Sequence, residues 1–113
     1  MRDWSGTRLC RLADLAEGRP RGFELGAGTD HFDLFVLRRG NALLAYRNEC
    51  PHAGSPLDLM PDQFLSADGR HFQCHTHGAL FRLEDGMCVA GPCLGRLLTP
   101  VAVKVENGEL LIV

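Results

Sequence analysis

The chain has 113 residues, of which 45% are hydrophobic, and a formal net charge of -2 at pH 7. This length suits one domain with a modest core and leaves no room for a second, catalytic domain. The absence of a Lys or Arg run argues against nucleic acid or an anionic membrane as a partner. No apolar stretch is long enough to cross a bilayer, and residues 1–6 lack the apolar run of a secretory signal, so we expect a cytoplasmic protein.

Short strands separated by glycine-containing turns are predicted through the first half of the chain. Residues 7–12 form a first strand, 14–21 a turn-rich segment with one helical turn, and 22–25 a short second strand. A hairpin with apolar strands follows, at residues 33–38 and 42–47.

Two more hairpins are predicted in the second half, with strands at 80–83 and 87–90 and then at 101–105 and 109–113. The pattern therefore predicts an all-β fold. Both ends of the chain build an antiparallel β base, and a metal-binding segment is inserted between its strands. We place the base at residues 1–47 and 96–113 and the inserted segment at 48–95, within one domain spanning 1–113.

Two short loops in the inserted segment each carry one cysteine and one histidine. The first has the spacing C-x-H, with Cys50 and His52, and the second has C-x-x-H, with Cys74 and His77. Two thiolates and two imidazoles are the ligand set of a Rieske 2Fe–2S centre. A tetrahedral zinc site accepts the same four ligands, but zinc modules usually pair them as C-x-x-C and H-x-x-x-H. The spacing therefore favours iron and sulfide over zinc.

Glycines stand close to both ligand pairs, at Gly54 and Gly78. Glycine lets the backbone approach a cluster and direct N–H groups at its sulfur atoms, which stabilises the reduced state. The alternative interpretation is that both glycines are ordinary turn residues with no role at a cluster. Beside two ligand pairs, we favour the functional interpretation. His75, between the second pair, is expected to face solvent.

Three further cysteines complete an odd total of five, which argues against a disulfide framework. Cys10 is expected to be a buried apolar residue of the first strand. Cys88 and Cys93 flank a Gly-Pro pair and have two interpretations. They form a disulfide or redox switch, or they are two packed thiols; the sequence favours packed thiols.

Five carboxylates occur in the sequence around the proposed metal-binding end: Asp58, Asp62, Asp68, Glu84 and Asp85. They have two interpretations, a surface that steers a basic partner or an ordinary solvated surface.

The ligand loops and their surroundings resemble those of Rieske-type ferredoxins, and the similarity covers nearly the whole chain. The matching stretches are Cys50-Pro51-His52-Ala53-Gly54 with Pro56-Leu57, Cys74-His75-Thr76-His77-Gly78-Ala79 with Phe81, and Gly91-Pro92. The resemblance implies that Cys50 and Cys74 bind one iron of a single 2Fe–2S cluster, and that His52 and His77 bind the other. It also implies that the loop at Gly91-Pro92 covers the cluster.

The same resemblance implies a one-electron carrier with no substrate chemistry of its own. Such a carrier receives electrons from a flavin-dependent reductase and passes them to a terminal oxygenase or a similar acceptor. The chain is too short to hold the oxygenase's mononuclear iron, and it has no glycine-rich dinucleotide fingerprint. The alternative function is a non-redox zinc-binding structural or interaction module. The sequence leaves the oligomeric state open.

Overall fold

The computed structural model describes residues 3–51 and 54–113. Those residues contain nine strands and one 3-10 turn, Leu12–Asp14, but no α-helix. None of the helical segments in this described part has the length and apolar character needed to traverse a bilayer. The strands are β1 Arg8–Arg11, β2 Arg21–Ala27, β3 Asp30–Arg39, β4 Ala42–Arg47, β5 His71–Gln73, β6 Leu80–Arg82, β7 Cys88–Ala90, β8 Val103–Glu106 and β9 Glu109–Ile112.

The strands form three antiparallel sheets of three strands each, in the orders β1-β9-β8, β2-β3-β4 and β5-β6-β7. In the first sheet the two ends of the chain meet, because Cys10 of β1 lies opposite Leu110 of β9. The third sheet lies between the other strands in sequence and carries the second ligand loop between β5 and β6. The predicted all-β antiparallel fold is confirmed.

The second sheet is larger than the sequence predicted. Strands β2 and β3 pair over seven positions, from Arg21 opposite Val36 to Ala27 opposite Asp30. The two-residue loop between them begins at Gly28, whose φ of 60° suits a tight hairpin. The sequence predicted that the second strand ends at residue 25 and that the third begins at residue 33. The residues that extend the two strands are largely polar or small and lack an alternating apolar pattern. Strand β5 was not predicted.

Strand β3 divides the core into two clusters because its side chains alternate between the faces of the sheet. Leu34 and Val36 pack in one cluster, with Cys10 and Leu110 of the first sheet. Phe35 packs in the other cluster. That second cluster also contains Cys50 and Cys74, Phe72 and Phe81 of the third sheet, and Phe64 from the segment before β5.

The aromatic group around Phe35 connects the second sheet to the metal-binding segment. Phe35 stacks on Phe64 with ring centroids 4.4 Å apart, and it meets the edge of Phe72 at 5.0 Å. Tyr46 of β4 joins the group, and its hydroxyl donates to the carbonyl of Leu83 at 3.0 Å. All three phenylalanines are fully buried.

We expect Phe35→Ala to destabilise the protein by about 3–5 kcal/mol, because it removes a buried ring and leaves a cavity. Phe32→Ala removes the same ring from a half-buried position on the same strand and should cost less, about 1–2 kcal/mol. Denaturant unfolding followed by circular dichroism measures both values. Equal losses would contradict the central position of Phe35.

Candidate metal centre

Three of the four predicted ligands come together in the structure. The ligand atoms of Cys50, Cys74 and His77 all lie within 4.8 Å of one another. The Cys74 Sγ and His77 Nδ1 atoms are 3.7 Å apart. The two cysteines are buried and the histidine is exposed. The fourth predicted ligand, His52, lies outside the described residues.

A closed ring of backbone hydrogen bonds shapes the first ligand loop. The N–H of Cys50 donates to the carbonyl of Ser55 at 2.7 Å, and the Cys50 carbonyl accepts from the N–H of Gly54 at 2.7 Å. Gly54 has a φ of 74°, in the left-handed region that glycine adopts without strain. The chain therefore reverses within six residues and leaves the Cys50 thiol at the base of the loop.

The second ligand loop repeats this arrangement. The N–H of Cys74 donates to the carbonyl of Ala79 at 2.9 Å, and its carbonyl accepts from the N–H of Gly78 at 2.7 Å. Gly78 has a φ of 77°, close to that of its counterpart in the first loop. Each cysteine therefore occupies the same place in its loop, although one loop spaces its histidine by two residues and the other by three.

The expectation that the glycine-containing loops direct backbone N–H groups at sulfur agrees with the contacts of Cys74, but the glycines' own N–H groups are not the donors. The N–H groups of Gly54 and Gly78 donate to cysteine carbonyls instead. In the second loop the backbone donors to the Cys74 sulfur come from His77 and Thr76. Burial raises the pKa of the Cys74 thiol, and these two N–H groups partly oppose that rise.

The two loops are tied to each other and to β3 through Leu57, which is fully buried. The carbonyl of Leu57 accepts from the N–H of His75 at 2.9 Å, so the end of the first loop bonds the second loop. The N–H of Leu57 donates to the Asn48 side-chain oxygen at 2.8 Å. The N–H of Asn48 in turn donates to the carbonyl of Asp33 at 2.9 Å.

Residues 91–95, which we name the cover loop, pack against the second ligand loop. Gly91 has a φ of 102°, and a Cβ added there would lie 2.8 Å from the Cα of Ala79. Directly after the cover loop, the Arg96 side chain donates to the carbonyl of Pro51 in the first ligand loop at 3.1 Å. The cover loop thus lies beside both ligand loops, where the resemblance places a proline loop.

The remaining cysteines fall into two groups. Cys10 is buried in the other core cluster, and burial is the main cause that raises its pKa. Cys88 and Cys93 are both free and buried, with their Sγ atoms 3.3 Å apart. Burial and the neighbouring thiols of Cys88 and Cys50 raise the pKa of Cys93 to about 12.

The five carboxylates near the metal-binding end all have local partners. Asp58 accepts from the Asn48 amide, Asp62 from the N–H of Gly22, and Asp68 from Ser66; Glu84 pairs with Arg39, and Asp85 with Arg82. The five carboxylates therefore take part in hydrogen bonds and surface ion pairs within the chain. These contacts agree better with an ordinary surface than with a dedicated steering patch.

The donor set and its surroundings fit an iron–sulfur cluster. Two polar atoms in the ligand loops, Ser55 Oγ and His75 Nε2, are buried and have no hydrogen-bond partner among the described residues. Buried polar atoms rarely stay unpaired, so a bound group beside them would remove a cost of about 1–3 kcal/mol each. The expectation that His75 faces solvent is wrong, because the residue is half-buried with Nε2 inside.

Comparison with known proteins identifies the family. A model of the Rieske [2Fe-2S] domain matches residues 5–106. A search of curated protein sequences found no significant match. The chain belongs to the Rieske domain family.

Solved structures with the same fold cover nearly all of the chain. The ferredoxin of carbazole 1,9a-dioxygenase from Nocardioides aromaticivorans IC177 is 27% identical, with a TM-score of 0.71 and 96% of each chain covered. The Sphingomonas yanoikuyae B1 ferredoxin is 24% identical, with a TM-score of 0.69, covering 95% of this chain and 96% of that one. A chain in the complex of reduced oxygenase and oxidized ferredoxin in carbazole 1,9a-dioxygenase is 24% identical, with a TM-score of 0.73, covering 97% and 94%.

The family, the full-length similarity and the converging ligands define what the chain does. It is a one-electron carrier that uses a Rieske 2Fe–2S cluster, as the sequence predicted. When bound, the cluster supplies reversible one-electron chemistry, at a potential that histidine ligation raises above that of a cluster with four cysteine ligands.

We expect Gly91→Ala to loosen the cover loop and to speed loss of the cluster, because its Cβ would meet backbone atoms that cannot rotate away. Gly95→Ala is the matched control, since Gly95 also has a positive φ but open space around its Cβ position. Gly95→Ala should cost about 1–2 kcal/mol in backbone strain alone. The decay of visible absorbance with an iron chelator compares the variants, and equal decay rates would contradict a close packing role for Gly91.

Proposed function

We propose that Cys50 and Cys74 bind one iron of the cluster and that His52 and His77 bind the other. The observation that carries this assignment is the convergence of two buried thiols and one exposed imidazole within 4.8 Å. His52 follows Cys50 in the same loop and supplies the second nitrogen that the mixed ligand set requires.

The burial of the ligands supports a direction for electron transfer. The Cys50 and Cys74 thiols lie in the core with the aromatic group, whereas the His77 ring reaches the surface. A partner that docks over the exposed imidazole would be separated from the iron by one ring. Electrons therefore enter and leave on the histidine side.

The division into a base of residues 1–47 and 96–113 and a cluster-binding segment of 48–95 is part of the same proposal. Support comes from the first sheet, which joins the two ends of the chain, and from the third sheet, whose strands lie within 48–95. The aromatic group holds this segment on the base. The cytoplasmic location stays a prediction.

For partners, we propose a flavin-dependent reductase as the electron donor and an oxygenase or another redox enzyme as the acceptor. The likeness to a ferredoxin of a carbazole dioxygenase supports the acceptor. Exposed apolar side chains also follow the first ligand loop and occur in and after the cover loop: Leu59, Met60, Leu94 and Leu97. Apolar side chains at the surface favour docking of another protein.

We expect Cys50→Ser to lose the cluster and Cys10→Ser to keep it. Both cysteines are buried, but only Cys50 lies among the converging ligands. Iron and sulfide analysis gives the cluster content, and electron paramagnetic resonance after dithionite reduction should give a rhombic signal in Cys10→Ser alone. Equal loss in both variants would show that the ligand assignment is wrong.

The same measurements separate the zinc alternative. The purified native protein should be red-brown and contain two irons and two sulfides per chain, the composition of a 2Fe–2S centre. A colourless protein that holds one zinc ion and no sulfide would overturn the proposal.

We expect Leu94→Glu to slow electron transfer to the acceptor about tenfold, because a charge replaces an apolar contact at the docking surface. Val105→Glu is the control, since Val105 is also exposed but lies in β8 of the first sheet. The acceptor is first isolated by capture on the immobilised reduced protein. It is an oxygenase or another redox enzyme that oxidises this protein. Stopped-flow absorbance measures the rate, and a separate titration should find the midpoint potential unchanged. Equal slowing by both variants would place docking elsewhere.

A further inference from the structure

A pair of thiols beside the metal centre has a geometry that the electron-carrier function does not use. The Sγ atoms of Cys88 and Cys93 are 3.3 Å apart, and both residues are free. A disulfide bond is about 2.0 Å long, so the two sulfurs need to approach by about 1.3 Å. Side-chain rotation with a small loop adjustment supplies a movement of that size.

The backbone keeps the two sulfurs facing each other. The N–H of Cys88 donates to the carbonyl of Arg96 at 2.8 Å, and its carbonyl accepts from the N–H of Gly95 at 2.9 Å. The N–H of Arg96 also donates to the carbonyl of Cys93 at 2.9 Å. The chain therefore turns back on itself after β7, and the cover loop returns Cys93 to the strand that carries Cys88.

We propose that Cys88 and Cys93 form a redox-modification site, at which a small hydroperoxide converts the two thiols into a reversible disulfide that ties the cover loop to β7. The pair does not include a ligand cysteine, although the Cys93 thiol neighbours that of Cys50. Cys10 has no thiol neighbour in its core cluster and cannot react in the same way.

The chemistry balances with hydrogen peroxide as the oxidant. One thiol sulfur attacks the O–O bond and becomes a sulfenic acid, and the first water leaves. The second thiol sulfur then displaces the sulfenic oxygen, which leaves as a second water and closes the S–S bond. Two thiols and one peroxide thus give one disulfide and two waters, and an added dithiol reverses the oxidation by exchange.

The burial of the two thiols limits the size of the oxidant that can reach them. Cys88 and Cys93 are 1% and 3% exposed, so a reagent as large as an oxidised tripeptide does not reach them in the closed structure. A peroxide is about as small as two water molecules and enters during brief opening of the cover loop. Local opening of surface loops costs much less than global unfolding.

The location of the pair determines what its oxidation changes. The cover loop packs on Ala79 through Gly91, and Arg96 bonds the carbonyl of Pro51, so this segment contacts both ligand loops. A bond between its two sides restricts its opening. Oxidation should therefore slow amide hydrogen exchange within residues 89–95 and leave exchange in β8 and β9 unchanged.

The test uses the cluster-loaded protein, treated with increasing hydrogen peroxide and then denatured in N-ethylmaleimide. The tryptic peptide of residues 83–96 contains both cysteines and no other. We expect it to lose two hydrogens, to resist labelling, and to regain both labels after dithiothreitol treatment. The neighbouring thiol should take up the sulfenic acid before a second peroxide does, so the pair should give no sulfinic acid, and the iron content should stay constant.

Two single-cysteine variants remove one thiol of the pair each. Cys88→Ser and Cys93→Ser should each retain the cluster and give no cross-linked peptide, and their exchange rates should no longer respond to peroxide. A disulfide between Cys93 and Cys50 with loss of iron would overturn the proposal. So would full labelling of both cysteines at every peroxide dose that leaves the iron content unchanged, or conversion to sulfinic acid without a cross-link.

Discussion

The two-sided burial of β3 is the constraint on which the rest of the structure depends. Leu34 and Val36 face the sheet that joins the chain ends, and Phe35 faces the ligand cysteines. Because successive side chains of a strand point to opposite faces, a shift of one residue in the pairing would exchange these two sets. An aromatic ring would then face the small cluster around Cys10, and the ligand loops would lose their support. The pairing of β3 with β2 over seven positions and with β4 over six fixes that register from both sides.

On this support, the ligand loops gain their shape mainly from backbone hydrogen bonds. Each loop closes a ring around its cysteine, and Leu57 connects the first loop to the second. These bonds join main-chain atoms that any sequence provides. The loops therefore require few particular residues apart from the glycines at positive φ. The arrangement explains how two loops with different cysteine–histidine spacings present equivalent thiols. It also places both sulfur atoms inside the core; at Cys74 burial raises the pKa of the thiol, so cluster assembly must release that proton.

Much of this could be predicted from the sequence, and the exceptions have physical reasons. Apolar runs separated by turn residues identified β3, β4 and the terminal hairpin, and the ligand spacing identified Cys50, Cys74 and His77 as a group that the structure brings together. The polar start of β3 at Asp30 was missed, because its pairing depends on the turn at Gly28 and not on burial. The glycines indicated backbone donors near sulfur but not which residues, Thr76 and His77, supply them at Cys74. Sequence shows where glycine permits a turn, but the direction of each N–H depends on how the whole loop closes.

The asymmetry of the ligands combines two opposing requirements of an electron carrier. A cluster must be protected from water, yet an electron must reach a partner over a short distance. Thiolates carry charge, and a buried charge is stable only with compensating donors. The N–H groups of Thr76 and His77 supply such donors at Cys74, and a bound iron would add its positive charge. The His77 imidazole is exposed, and its ring extends the centre toward the surface. The cover loop packs on Ala79 through Gly91, and its Cys93 lies in the core cluster that contains both ligand cysteines, whereas His77 is exposed. Any change that loosens this loop therefore affects the stability of the centre before it affects the surface that meets the partner.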